Sequence, residues 1–140
     1  MAKERDKVNE PFKKGIKKVA PRVDWQRMEL WTEAGIPDVN FCLDGHEHWI
    51  ECKWTPSVTG ARFSHPLNAA QCGWILKRVD AGGSAWILAR RVDEFSLWHG
   101  SRAREVLDSG YKAGHTSLVM PMVKRTWDWL ELIRTLERGK

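Results

Sequence analysis

Residues 38–53 of this 140-residue chain read DVNFCLDGHEHWIECK, and this stretch decides the fold. Its first half alternates apolar with polar or small residues, which predicts a strand with one buried face. The apolar positions are Val39, Phe41 and Leu43. Asp44-Gly45 follows, a residue pair that two-residue hairpin turns prefer. Residues 46–53 lead back out, so the stretch predicts a β-hairpin.

The turn also predicts which side chains of the hairpin share a face. A two-residue turn sets Asp38 directly opposite Glu51, at the spacing of a cross-strand pair. Lys53 comes two residues after Glu51 and therefore points to the same face. The other face carries Val39, Leu43, Ile50 and Cys52. The sequence thus predicts two carboxylates and one ammonium clustered on one side of the sheet.

This cluster suits metal-assisted hydrolysis of a phosphodiester. Adjacent carboxylates repel each other unless one is protonated or a cation lies between them, and hard oxygen ligands suit Mg²⁺. A nearby Lys53 can orient the attacking water or neutralise developing charge. The competing interpretation is a solvated surface hairpin in which Lys53 balances Glu51. The apolar neighbours Trp49, Ile50 and Trp54 favour the functional interpretation, because charges in a buried strand need a functional reason.

Downstream of the hairpin, the pattern predicts a helix, a strand and a mainly helical C-terminus. Ser64 or His65 can cap a helix with Pro66 in its first turn, and this helix runs to about Ala81. Ala85 to Ala89 is a short apolar run typical of a buried strand, and a strand–helix–strand unit predicts parallel pairing. Further expectations are an edge strand over 95–98, a short helix over 101–108 and a helix over 123–138, with 111–121 left unassigned. The fold class is therefore α/β, with a mixed sheet flanked by helices.

Upstream of the hairpin, we expect a short helix and a basic arm. Asp24 can cap a helix over 25–34 that Gly35 ends. Residues 1–20 are Lys-rich and weakly periodic, which predicts a flexible arm in front of a single domain over 21–140.

The charge of the chain is concentrated at its N-terminus. Residues 1–22 hold eight basic and three acidic side chains, so they account for the whole formal charge of +5. Such an arm favours a polyanion partner, with a merely solubilising tail as an equal alternative. The candidate DNA contacts there are Lys13, Lys14, Lys17 and Lys18.

Composition narrows the cellular setting. Apolar residues make up 42% of the chain, enough for a real core. The three cysteines are odd in number and show no CxxC spacing, which fits a reducing cytoplasm. No apolar run approaches the roughly 20 residues of a membrane span, and no secretory signal precedes the domain. We therefore expect a cytoplasmic protein without a membrane partner.

Two sequence motifs resemble the PD-(D/E)XK nuclease superfamily. They are Gly35-Ile36-Pro37-Asp38 and Trp49-Ile50-Glu51-Cys52-Lys53, and the nearest likeness is to the small Holliday-junction-resolvase-like and VRR-NUC-type nucleases common in phages and prophages. Residues 25–29 resemble the glutamate-bearing first helix of that group. Residues 68–74 resemble its Gln-bearing helix, and Gly82-Gly83 followed by residues 86–88 resembles its final core strand. The order and spacing of these motifs are more specific than any one of them.

The resemblance implies a restriction-endonuclease-like core and a role for each matching residue. Asp38 and Glu51 would hold Mg²⁺, for which Mn²⁺ could substitute, with the backbone carbonyl of Cys52 as a further ligand. Lys53 would position the attacking water, and Gln71 would hydrogen-bond near the scissile phosphate. The resemblance also implies 5′-phosphate product ends.

The helix carboxylate of the family has two candidates in this chain. Glu29 would support the metal from the first helix, and Glu33, one turn later, is the alternative. Only eight residues separate Glu29 from Asp38, so a strand that many family members have between them must be missing or very short.

Several functional alternatives remain at this point. The first is a junction-resolving endonuclease of DNA recombination, which would need a homodimer for two symmetric cuts. The others are a sequence-specific homing or restriction-like endonuclease and a non-catalytic DNA-binding module. Trp54 and Arg62 are further candidate DNA contacts, and Phe63 is either a contact or an ordinary anchor. A zinc site at His46 and His48 is disfavoured, because the nearby cysteines fall on opposite faces.

Overall fold

The computed structural model describes residues 4–28 and 34–139. In this part of the chain, one six-stranded mixed sheet lies between two layers of helices, as expected for the α/β class. The strands are β1 Asp24–Arg27, β2 Val39–Leu43, β3 His46–Thr55, β4 Ala85–Arg91, β5 Glu94–His99 and β6 Leu118–Pro121. Strand order in space follows strand order in sequence. Among the strands of the described residues, β3 and β4 alone pair in parallel, and a crossover helix joins them.

The helices are distributed over both faces of the sheet. They are α1 Glu10–Val19, preceded without a break by a π-helical stretch Arg5–Asn9, then α2 Ala69–Asp80, α3 Ala103–Ser109 and α4 Trp129–Gly139. Short 3-10 helices, Gly100–Arg102 and Gly110–Lys112, flank α3. The α1 and α4 helices cover one face of the sheet, and α2 and α3 cover the other. Among the described residues, no helix has the length and apolarity needed to cross a bilayer.

The hairpin at the centre of the sheet has the predicted turn and register. Asp44 and Gly45 both have positive φ, 51° and 82°, as a type I′ turn requires. Leu43 pairs with His46, and the ladder continues as far as Val39 and Ile50. The apolar side chains of both strands enter the core beneath α1, because alternate residues point to alternate faces.

The prediction of a flexible arm over residues 1–20 was wrong for the part that the structure describes. Residues 4–19 are helical, and Val8, Phe12 and Ile16 are fully buried. These residues recur every fourth position and form the apolar stripe of an amphipathic helix. Gly15 lets this helix approach α4, because a Cβ there would lie 2.1 Å from Trp129 Nε1.

The helix predicted over residues 25–34 was also wrong. Residues 24–27 form β1, in which Trp25 pairs with Phe41 of β2 and stacks on its ring at 5.5 Å. Residues 29–33 lie outside the described part of the chain. Pairing with a neighbouring strand thus overrides a local helical pattern.

The remaining elements differ from expectation mainly at their boundaries. The helix after the hairpin is capped by Asn68 rather than by Ser64 or His65. The strand over 95–98 is internal, because β6 pairs with it from within the unassigned segment. The predicted parallel pairing of the strand at Ala85 is confirmed.

Candidate active site

The hairpin brings Asp38, Glu51 and Lys53 together as the register predicts. Asp38 directly precedes the β2 ladder, and the backbone N–H of Cys52 donates to its Oδ2 at 2.9 Å. Its own backbone carbonyl accepts from the N–H of Met28 at 2.8 Å, which anchors the start of β2 to the end of β1. The Asp38 carboxylate is therefore held in place beside the Glu51 strand from both sides.

Glu51 and Lys53 are charged side chains in an otherwise apolar part of the sheet. They are only 1% and 2% exposed, and Lys53 Nζ lies 3.2 Å from Glu51 Oε2. A buried ion pair of this kind contributes little stability by itself, since both charges lose their water. Its burial in β3 contradicts the interpretation of a solvated surface hairpin.

Gln71 connects this pair to the first turn of α2. Its Nε2 donates to Glu51 Oε2 at 3.1 Å, while its Oε1 accepts from Lys53 Nζ at 3.2 Å. The same Oε1 accepts from the backbone N–H of Asn68, and Asn68 Oδ1 accepts from the N–H of Gln71, which completes a capping box. The helix cap therefore fixes the amide that orients both charged groups.

The electrostatics of the site favour an added cation. Burial raises the pKa of Glu51 well above its usual range, and repulsion from Asp38 adds to this effect. Burial also raises the pKa of Asp38, against the opposing effects of the Cys52 N–H and of Lys53. The Lys53 ammonium is one positive charge beside the two carboxylates of Asp38 and Glu51. Ionising both carboxylates in this buried place costs considerable free energy.

Glu4 adds a third carboxylate that sequence reasoning missed. Burial raises its pKa from 4.5 to about 7; the charge of Lys53 lowers it, and that of Asp38 raises it. The backbone N–H of Trp54 donates a hydrogen bond to Glu4, which also lowers that pKa. The spacing Glu4, Val8, Phe12, Ile16 was the available signal, because it places Glu4 on the buried stripe of the N-terminal helix.

The predicted helix carboxylates cannot be compared directly with Glu4. Glu29 and Glu33 both lie outside the described residues. In the described part of the chain, the carboxylate that a helix brings to Asp38 and Glu51 is that of Glu4.

The donor set fits a hard divalent cation. Glu51 Oε1 and Glu4 Oε2 are buried without a hydrogen-bond partner, so each has lone pairs that a cation could satisfy. Among the described residues, no group of three or more His, Cys, Asp or Glu side chains is placed to hold a metal ion. Mg²⁺ does not need one, because it commonly binds through one or two carboxylates and keeps water and substrate phosphate as its other ligands.

Cys52 can contribute only its backbone. Its side chain is fully buried on the α1 face of the sheet, and burial raises the thiol pKa well above its usual range. A neutral buried thiol is a poor ligand for Mg²⁺. This agrees with the carbonyl role that the resemblance implies.

The candidate DNA contacts lie at different depths. Trp54 is half-buried on the α1 face, between Lys7 Nζ and Arg90 Cζ, each 5.9 Å from its ring centroid. Arg62 is exposed, and the neighbouring Phe63 is a core anchor at 4% exposure. The lysines of α1 are exposed except for Lys13, which is half-buried; the exposed ones are Lys14, Lys17 and Lys18.

His46 and His48 share a face, as predicted, and join α4 to the hairpin. His48 Nε2 lies 2.8 Å from Glu137 Oε2, and His46 Nδ1 contacts the other oxygen of the same carboxylate. His48 Nδ1 lies 2.6 Å from Ser84 Oγ, which also accepts from Trp86 Nε1. The pair therefore has a structural role in fastening the C-terminal helix.

Comparison with known proteins adds no relative. No protein-family model matches the chain, and no curated protein matches it closely enough to count as similar. What can be said of function therefore comes from the geometry of the site.

Proposed function

We propose that this protein is a Mg²⁺-dependent endodeoxyribonuclease of the PD-(D/E)XK type. One observation carries the proposal: the buried Lys53 pairs with Glu51, the charges of Asp38 and Glu4 act on the same pair, and one oxygen each of Glu51 and Glu4 is buried without a hydrogen-bond partner. Such a cluster is costly in a folded protein unless it serves a cation and a reaction.

The chain order supports the restriction-endonuclease-like core that the resemblance implies. Taking α1 as the first helix leaves β1 between that helix and Asp38. β1 then corresponds to the strand that many family members have between the first helix and the Asp. Glu4 accordingly takes the role that the resemblance assigned to Glu29.

Each residue has a chemical task in this proposal. Asp38 and Glu51 would hold the cation, with the Cys52 carbonyl as a further candidate ligand, and Glu4 would support it from the N-terminal helix, directly or through water. When bound, Mg²⁺ would lower the pKa of a coordinated water and stabilise charge on a phosphate oxygen.

Among residues 4–28 and 34–139, Lys53 is the cation that pairs with Glu51 inside the sheet. Its Nζ can orient the attacking water and stabilise the negative charge that develops on the phosphate. Gln71 holds the ammonium and the carboxylate at a fixed spacing, which is a positioning role.

The same site could act on more than one kind of DNA substrate. A structure-selective, junction-resolving nuclease is our first choice, and it requires a homodimer. A sequence-specific homing or restriction-like endonuclease would use the same site with different DNA contacts. A DNA-binding module without catalysis is less consistent with a cluster in which every residue is in hydrogen-bonding or charge contact with another.

A cleavage assay on matched substrates tests the proposal. Labelled four-way junction, linear duplex and single strand would each be incubated with Mg²⁺, Mn²⁺ or EDTA, using wild type and Asp38→Ala. Glu47→Gln is the matched control, because Glu47 is an exposed carboxylate on the same strand as Glu51. Metal-dependent cutting that Asp38→Ala abolishes and the control retains is the expected result, and the preferred substrate chooses among the enzyme types.

The binding-module alternative makes a different prediction. If the site is that of a nuclease, calorimetry should detect binding of Mg²⁺ or Mn²⁺ to wild type and no binding to Asp38→Ala. DNA binding without cutting of any substrate, long mixed-sequence DNA included, and without metal binding, would refute the nuclease.

A further inference from the structure

A basic groove runs along α1, away from the candidate active site. Its cationic lining residues are Lys13, Lys14, Lys17 and Arg125, with Trp127 as an aromatic wall, and its volume is about 690 Å³. Asp6 and Glu10 line it as well, nearer the start of the helix. Four cations against two carboxylates leave the groove positive.

Arg125 reaches this groove from a strained turn. Val123 and Thr126 hydrogen-bond to each other in both directions, at 2.8 and 3.1 Å, and close a tight loop. The two residues at its tip, Lys124 and Arg125, have φ values of 51° and 66°. Neither is glycine, so both residues hold a left-handed backbone conformation that L side chains rarely adopt. The fold thus holds Arg125 in an unfavourable backbone conformation at a point where it lines the groove with lysines of α1.

A short series of contacts links the groove to the helical turn that carries Glu4. Arg90 stacks on Trp127, with its Cζ 4.8 Å from the ring centroid, and donates to the backbone carbonyl of Lys7 at 2.9 Å. Lys7 is one helical turn from Glu4, which belongs to the site. From Glu4 to Lys17 the helix rises about 20 Å, at roughly 1.5 Å per residue.

We propose that this groove binds the phosphate backbone of the DNA arm that flanks the scissile bond. The inference rests on the proposed function and extends it to a direction and to a distance between the cut and the phosphate contacts. A path of about 20 Å corresponds to roughly six base pairs at 3.4 Å each. The cations lie at the far end of this path and contact phosphates about four to six base pairs from the cut, and the Trp127 wall supplies an apolar surface for the sugars. The substrate is therefore double-stranded on at least one side of the cut.

The salt dependence of DNA binding tests this assignment without requiring cleavage. The test variant is Lys17→Gln with Arg125→Gln. The control is Lys112→Gln with Arg104→Gln, because both residues are exposed, neither lines the groove, and the net charge changes equally. Affinity for a labelled duplex would be measured in EDTA between 50 and 200 mM salt by fluorescence anisotropy.

The expected change follows from counterion release. Each lost phosphate contact reduces the slope of log affinity against log salt by about 0.9, so two contacts reduce it by about 1.8. The ratio of affinities at 50 and 200 mM salt then shrinks by about twelvefold relative to wild type. The control should keep the wild-type slope, and shortening the arm below about six base pairs should remove the difference between test variant and wild type.

The outcomes separate this inference from the proposed function. A wild-type slope in the test variant overturns the groove, even if the protein cuts DNA. A reduced slope in the test variant alone supports the groove, even if no substrate is cleaved. An equal reduction in test and control variants also overturns it, because the effect would then come from net charge rather than from this surface.

Discussion

Glu4 should make the metal-free protein less stable as the pH rises through neutrality. Burial raises the pKa of this carboxyl from 4.5 to about 7 in the folded protein, whereas the unfolded chain keeps the ordinary value. Between these two values the folded state holds a proton that the unfolded state has lost, so the free energy of unfolding falls with increasing pH. The loss is complete above pH 7 and amounts to at most about 3 kcal/mol, because Glu4 is not fully buried.

The substitution Glu4→Gln isolates this effect. The amide is neutral at all pH values, and its oxygen can still accept from the Trp54 N–H that contacts Glu4. Urea unfolding in EDTA should show that the free energy of unfolding of the variant exceeds that of wild type by up to about 3 kcal/mol at pH 8. At pH 4.5 the difference should be less than about 0.5 kcal/mol. Saturating Mg²⁺ at pH 8 should narrow the gap, since the cation would stabilise the ionised wild-type site.

A control and a contrary result make the experiment decisive. Glu47→Gln changes an exposed carboxylate and should leave the difference from wild type small at both pH values. Equal stability of Glu4→Gln and wild type at pH 8 would show that Glu4 is solvated and ionised at little cost. The three-carboxylate description of the site would then be wrong.

Three further substitutions test the supporting structure. Gly15→Ala would place a Cβ 2.1 Å from Trp129 Nε1, so chemical denaturation should show a loss of about 1–3 kcal/mol; wild-type stability would refute the close packing of α1 on α4. Asn68→Ala removes the cap of α2 and should cost about 1 kcal/mol, with Asn68→Ser recovering most of it; equal losses in both would argue against the cap. Gln71→Ala should lower the cleavage rate about 10- to 100-fold with an unchanged KM, because Lys53 loses its orienting amide; a change in KM alone would argue for a substrate contact instead.

The hairpin could be predicted because its determinants are local. The alternation of Val39, Phe41 and Leu43 selects the buried face, and Asp44-Gly45 fixes the register. Once the register is fixed, the faces on which the charged residues lie follow from the two-residue period of a strand. The central part of the candidate site was therefore accessible from the sequence.

The N-terminal helix was missed because its lysines dominate the local composition. The four-residue spacing of Val8, Phe12 and Ile16 was visible, but it is a narrow stripe, and isolated helices of this length are marginal in water. Contact with α4 and the sheet stabilises it, and the α4 residues lie more than a hundred positions away in the sequence. Glu4 could not be recognised until that helix was placed.

The edges of the sheet were misjudged for a related reason. Asp24–Arg27 and Leu118–Pro121 are four-residue strands whose own residues give no clear period. They become strands because β2 and β5 offer unpaired backbone groups beside them. Such strands depend on partners that a local window of sequence does not contain.

Cleavage of a labelled four-way junction in Mg²⁺ by wild type and Glu51→Gln tests the central claim most directly. Glu51 is 1% exposed and contacts Lys53 and Gln71, and Gln keeps its shape while removing the charge that would hold the cation. We expect wild type to produce 5′-phosphate ends, EDTA to stop the reaction, and the variant to be slower by at least about a thousandfold while remaining folded. Cleavage by the variant at the wild-type rate would contradict the proposed site, and metal-independent cleavage by both proteins would contradict the proposed chemistry.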